Sequence, residues 1–355
     1  MVYNFGAGPS MLPHEVLLSA QEDMCDFKGH GISIMEASHR SALYEEVHNE
    51  AIADIRKLYN VPEDFEILFL QGGASLQFAM VPMNFYKGGV IEFADTGVWS
   101  SKAIKEVKIL GYNHKIVASS KEASYNYIPE VNFSDSADYA YITSNNTIYG
   151  TQYRSLPTTK SPLVVDASSD LFSYPIDWTK VDCLFGGAQK NAGPSGVTLV
   201  IVRKSLLYSV GENIPSMLRY KVHAEANSLY NTPPTFGIYL LGLTLKWIEA
   251  QGGIEAVRAY NAKKAALLYG VIDQSEGFYL GHALPEARSH MNVTFTLHNQ
   301  ALEAEFLKSA EAANMIGLKG HRSVGGLRAS IYNAMRLEGV EALASLMQDF
   351  AKKNR

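Results

Sequence analysis

From residue 67 onward, short apolar runs alternate with longer stretches of helical period. The runs at 67–70, 90–94, 115–117, 139–143 and 163–166 are too short for helices and read as buried strands. Between them, 74–85 and 101–108 carry helical periodicity. Strands that alternate with helices imply a mostly parallel sheet. Upstream, 13–25 and 41–59 read as helices separated by Gly29-His30-Gly31. Residues 1–14, with Gly6, Gly8, Pro9 and Pro13, read as irregular. After about residue 235 the pattern changes. An apolar helix at 236–251 is closed by Gly252-Gly253, and a long helix at 254–276 follows. Then come a period-two strand at 291–296, a helix at 300–313, the segment 315–330 and an amphipathic helix at 338–352. The expectation is an α/β part followed by a smaller α+β part.

The chain's 355 residues suffice for one large domain and a smaller one. Net charge is −5 with no basic block, which argues against nucleic acid as a partner. Cys25 and Cys183 stand far apart and form neither a metal-ligand pattern nor a disulfide framework, so no metal is expected. No apolar stretch approaches a membrane span, and the first residues lack a secretory pattern. A cytoplasmic location without membrane attachment is expected.

Candidate chemistry centres on Lys190, in Gly186-Gly187-Ala188-Gln189-Lys190-Asn191-Ala192-Gly193-Pro194. This lysine lies in a tight connection beside the apolar run 197–202, and Asp166 ends another apolar run. A desolvated lysine sheds its proton readily and can form a Schiff base with a carbonyl. A carboxylate can keep a pyridine nitrogen protonated, so the pair suits pyridoxal phosphate. Gln71-Gly72-Gly73-Ala74-Ser75 joins a strand to a helix, where free backbone N–H groups can hold phosphate. It has no Walker lysine, so a nucleotide loop is not indicated. Trp99 and the polar run 143–147 each follow a strand, where parallel sheets place ligands. Taken singly, Trp99 is equally a packing residue and the polar run a turn. Cations gather at His39-Arg40, at Lys319-Gly320-His321-Arg322 and at Arg328. Arginine forks match carboxylates and phosphates, so together they suggest a substrate with more than one acidic group.

With these residues in place, the chain closely resembles the phosphoserine aminotransferase family, fold-type-I enzymes of the class V aminotransferase group. The likeness is carried by Asn4-Phe5-Gly6-Ala7-Gly8-Pro9-Ser10, Glu36-Ala37-Ser38-His39-Arg40-Ser41 and Gln71-Gly72-Gly73-Ala74-Ser75-Leu76-Gln77-Phe78. It continues through Gly187-Ala188-Gln189-Lys190-Asn191, Asn231-Thr232-Pro233-Pro234-Thr235 and the stretch 319–334. The resemblance implies a large domain (15–253) with a mostly parallel seven-stranded sheet. Residues 1–14 and 254–355 would form a smaller α+β domain.

It also implies roles at matching positions. Lys190 would carry pyridoxal 5′-phosphate as a Schiff base, Asp166 would pair with the ring nitrogen, Trp99 would stack on the ring and Thr147 would bond its hydroxyl. Ala74, Ser75 and Gln189 would hold the cofactor phosphate. Asn231 and Thr232 would reach that phosphate from the neighbouring subunit of a homodimer with shared active sites. Ser10, His39, Arg40, His321, Arg322 and Arg328 would bind substrate, some of them across the interface. The implied reaction converts L-glutamate and 3-phosphohydroxypyruvate to phosphoserine and 2-oxoglutarate, with a phosphorylated threonine-type intermediate of pyridoxine synthesis as a further substrate in some organisms. One departure stands out: some members have Gly-Arg where this chain has Ala74-Ser75. A desulfurase or glyoxylate transaminase of the same fold group, and a catalytically silent binding protein, are the alternatives. Neither cysteine is placed for the first, and intact Lys190 and Asp166 argue against the last.

Overall fold

The computed structural model describes residues 2–208 and 213–355. A seven-stranded sheet runs in the order Phe65–Leu70, Thr198–Arg203, Cys183–Gly187, Leu163–Asp166, Tyr139–Thr143, Ile91–Asp95, His114–Ser119. Only Thr198–Arg203 opposes its neighbours; the remaining pairings are parallel. Alternate residues of the central strands enter two apolar clusters, as the period of a strand requires. Val165, Leu184 and Leu199 pack with Ile238, Leu241 and Leu245 of the helix Thr235–Ala250. Val164, Phe185 and Val200 pack on the other face with Phe78 and Val81 of the helix Gly73–Phe85. Burial on both faces explains why these strands read as continuous apolar runs.

A second sheet holds Tyr279–Gly281, Asn292–Leu297 and Leu327–Ser330, all antiparallel. Its own apolar cluster joins Phe295 and Leu327 to Leu268 of the helix Gly253–Asp273 and Met347 of the helix Leu337–Asn354. The long helix ends before the expected residue 276, because Glu276 (φ 50°) and Gly277 (φ 84°) reverse the chain into the next strand. The N-terminal segment is more ordered than its glycines and prolines suggest. Tyr3–Asn4 pairs in parallel with Met315–Ile316, and Phe5 is buried in the same cluster as Phe295. That pairing spans almost the whole sequence, so no local pattern announces it.

Lys264, on the long helix, is fully buried. Its ammonium donates to the carbonyls of Ile331 (3.0 Å), Tyr332 (2.6 Å) and Met335 (3.0 Å). Burial alone would drive off its proton. Three carbonyl acceptors hold it, because only the charged form carries three N–H donors. The turn it fastens bears Asn333, whose N–H donates to Asn191 Oδ1 (2.9 Å), next to Lys190.

Candidate active site

A cavity of about 470 Å³ opens at the carboxyl ends of the parallel strands, where such sheets bind ligands. Lys190, Asp166, Trp99, Thr147, Ala74, Ser75, Gln189, His321 and Arg328 all line it. A larger cavity, about 820 Å³, lies between Pro13, Trp247 and Tyr260. It holds neither Lys190 nor Asp166, so the chemistry selects the smaller one.

Each lining group is set by local structure. Lys190 follows the strand Cys183–Gly187 in a turn closed by Ala192 N–H and Gly193 N–H, both donating to Ala188 O (3.0 and 2.9 Å). Its amine donates to Thr147 Oγ1 at 2.9 Å and lies 5.6 Å from the centre of the Trp99 ring. Burial brings the Lys190 pKa from 10.5 down to about 8; Asp166 opposes the shift and Arg328 adds to it. Asp166 is buried at the end of its strand, and burial raises its carboxyl. Ser168 opposes that rise by donating its N–H (3.0 Å) and hydroxyl (2.6 Å) to Asp166 Oδ1. Trp99 sits in the first turn of the helix Val98–Ile109, whose start is pinned by Ser100 and Ser101 donating to Asp95 Oδ1 (2.9 and 2.8 Å).

The loop before the helix Gly73–Phe85 is built for an anion. Gly72 and Gly73 have φ 84° and 62°, and a Cβ at Gly72 would come within 2.6 Å of Leu76. The helix begins with Leu76 N–H donating to Gly72 O (3.3 Å), so the N–H groups before it have no intrahelical acceptor. The helix dipole adds partial positive charge there. Arg328 is buried in the strand Leu327–Ser330, and its Nε has no protein partner. Trp99 Nε1 and Thr143 Oγ1, on two more lining residues, are likewise buried and unpartnered. An amine with a lowered pKa, a buried acid, an indole, an open helix N-terminus and unsatisfied polar atoms fit pyridoxal phosphate.

Other expected residues lie elsewhere. Ser10 seats the lysine turn: its N–H donates to Gln189 O (3.0 Å) and its hydroxyl to Lys190 O (2.6 Å). His39 and Arg40 precede the helix Ala42–Tyr59, outside the cavity lining, and Arg40 is exposed. Asn231, Thr232 and Arg322 are also outside it, although Thr232 O accepts from Gln71 Nε2 at 3.4 Å. Two residues escaped the sequence reading. Ser168 stands two positions after Asp166, the spacing at which an aspartate carboxylate accepts a backbone N–H in a turn. Asp170 is fully buried and accepts from Ser144 Oγ (2.6 Å) and Gln152 Nε2 (3.2 Å), with burial raising its carboxyl to about 7. Nothing in its sequence neighbourhood signals that burial. Among the described residues, no cluster could hold a metal ion and no helix is long and apolar enough to cross a membrane.

Residues 2–343 match the family model described as aminotransferase class-V. The chain is 58% identical over 355 residues to the phosphoserine aminotransferase of Campylobacter lari, covering 99% of each. The solved phosphoserine aminotransferase of Bacillus circulans subsp. alkalophilus superposes with a TM-score of 0.98 at 49% identity, over 100% of this chain and 99% of that one. The pyridoxal-phosphate-bound phosphoserine aminotransferase of Trichomonas vaginalis gives 0.93 at 39% identity, over 98% of this chain and 100% of that one. Cavity chemistry, fold and end-to-end sequence likeness agree: the chain belongs to the phosphoserine aminotransferase family of class-V aminotransferases.

Proposed function

We propose that the protein transfers the amino group of L-glutamate to 3-phosphohydroxypyruvate, giving O-phospho-L-serine and 2-oxoglutarate, with pyridoxal 5′-phosphate held in the cavity at Lys190. The observation that carries this reading is the convergence of Lys190, Asp166 and the open helix N-terminus in one cavity of a chain similar to phosphoserine aminotransferases over its whole length.

When bound, the cofactor supplies an aldehyde for the amino group and a ring that accepts an electron pair. Lys190 Nζ, whose burial already lowers its proton affinity, would take the proton from the substrate Cα and return it. Asp166 would hold its charge toward the ring nitrogen, and Ser168 keeps that carboxylate oriented. Trp99 would cover the ring and Thr147 would bond its hydroxyl. Ala74, Ser75 and Gln189 would hold the phosphate. Arg328 binds the substrate α-carboxylate, which satisfies its free Nε. His321 lines the same cavity and would contribute to binding the substrate.

The remaining cations support a homodimer with shared sites. His39, Arg40 and Arg322 are needed for a dianionic phosphate, since Ser75 supplies no cation, yet they are not part of this chain's own cavity. In the proposed assembly they and Asn231-Thr232 come from the partner subunit. A division into domains 15–253 and 1–14 with 254–355 is supported by the separate apolar cluster of the second sheet. Ile254 and Val257 pack into the first cluster, so the boundary falls where one helix touches both. A cytoplasmic setting and a further part in pyridoxine biosynthesis belong to the same proposal.

Two measurements test it. The holoenzyme absorbance should change on adding glutamate and return on adding phosphohydroxypyruvate. Arg40→Ala should lower kcat/KM for phosphoserine by roughly 10- to 150-fold, the loss of one charge-assisted hydrogen bond, and leave unphosphorylated serine much less affected. An equal loss for both amino acids would remove Arg40 from phosphate recognition, and no response to glutamate would remove the reaction itself.

A further inference from the structure

A smaller cleft of about 230 Å³ shares no lining residue with the catalytic cavity. One wall is the segment Gln152–Arg154 with Ser173 and Tyr174; the other is Arg258, on the helix Gly253–Asp273, with His290 and Met291. No aspartate or glutamate lines it. Arg154 Nη1 meets His290 Nε2 at 3.0 Å, and its Nη2 donates to Arg288 O. Arg154 is solvent-exposed and, among the described residues, has no carboxylate partner; its partial desolvation lowers its pKa, opposed by the Tyr269 hydroxyl. Arg258 makes one long contact, 3.6 Å, to the exposed Glu255. Both arginines, after burial itself, hold His290 unprotonated, at about 4.

Like charges gathered with no counter-charge among the lining residues repel, even though solvent screens them. One anion relieves that repulsion. Donors approach from both walls, so a tetrahedral oxyanion, with acceptors in several directions, meets more of them than a planar carboxylate. We propose that this cleft is a second site for a phosphate group, separate from the catalytic cavity. Occupancy ties the two walls together. Its effect can reach the catalytic groups, because Gln152 accepts from His290 N–H (3.0 Å) and donates to Asp170, while Met291 Sδ accepts from Asn191 Nδ2 (3.5 Å) beside Lys190.

Calorimetric titration of the holoenzyme with inorganic phosphate, at constant ionic strength, tests the site. Phosphate bound in the catalytic cavity is measured separately, as competitive inhibition against phosphoserine. Wild type should take up phosphate in excess of what that inhibition accounts for. Arg154→Met should weaken the excess binding by roughly 10- to 150-fold, with the inhibition constant unchanged. Arg258→Met, at an exposed helix position, should do the same and serves if Arg154→Met folds poorly. Repeating the titration with O-phosphoserine separates the sources: excess binding of the ester alone assigns the cleft to a phosphorylated metabolite, and of inorganic phosphate to the free ion. The same uptake of both ligands in all three proteins would overturn the proposal.

Discussion

Two lysines are withdrawn from solvent in this molecule, and they are put to opposite uses. Lys264 is fully enclosed and spends every N–H on a backbone carbonyl. Lys190 stands at a cavity wall with one hydroxyl partner, Thr147, and space beside it. Burial lowers the proton affinity of both. Burial therefore does not make a lysine reactive by itself. Reactivity comes from leaving the nitrogen with too few partners, so that losing a proton costs little and a carbonyl carbon can approach.

The contrast is broken most severely at Lys190. Lys190→Ala should lower turnover by roughly 100- to 10,000-fold or more, the usual share of a general acid–base group, with little change in melting temperature. Lys264→Met should show the reverse. It leaves the Ile331 and Met335 carbonyls without their donor, while Tyr332 O keeps Met335 N–H (3.0 Å). At about 1–3 kcal/mol for each orphaned carbonyl before relaxation, denaturant titration should show a loss of about 2 kcal/mol or more. The folded fraction should keep kcat within about tenfold of wild type, since Lys264 never meets substrate. A folded Lys264→Met protein without turnover would erase the distinction.

The third test is a pH scan of the cofactor-free chain. Lys190 titrates near 8 when folded and near 10.5 as an exposed lysine. Between those values the unfolded chain binds the extra proton, so stability should climb with pH across that window. Below it, the cost of burying the charge is fully present. Lys190→Met should flatten the climb, and an unchanged slope would mean that Lys190 is not the group responsible. The smallest effect belongs to Thr147→Val. Removing the hydroxyl bonded to Lys190 should cost about 0.5–1.5 kcal/mol, read as a 2- to 10-fold fall in kcat/KM.

Lys190 was legible because its loop is abnormal: a cation among glycines between apolar runs, with an acid ending another run. Lys264 was not, because Lys263-Lys264 in a long helix looks like any solvated pair until a distant turn covers it. The same division holds across the fold. The central strands announce themselves through apolar runs, and the Gly72-Gly73 turn through its position between strand and helix. The pairing of Tyr3–Asn4 with Met315–Ile316 and the hold of Ser10 on the lysine turn depend on contacts hundreds of residues apart, which periodicity cannot register. Arg40 and Arg322 were singled out as members of cationic clusters and Asn231 and Thr232 by family likeness, and the geometry of one chain does not gather them around the cavity.

The N-terminal segment also sets a schedule. Tyr3 and Asn4 leave the ribosome some three hundred residues ahead of the strand they pair with, Met315–Ile316. Until then Phe5 has no apolar cluster to enter. Ser10, on the same tether, holds the Gln189 and Lys190 carbonyls, and its hold is complete only once the tether is anchored. The large sheet, ending at Arg203, can assemble during synthesis, in the domain-by-domain manner of long chains. The finished seat of the reactive lysine cannot. Activity on a nascent chain should therefore switch on late and abruptly, after the last strand has emerged, rather than grow in step with chain length.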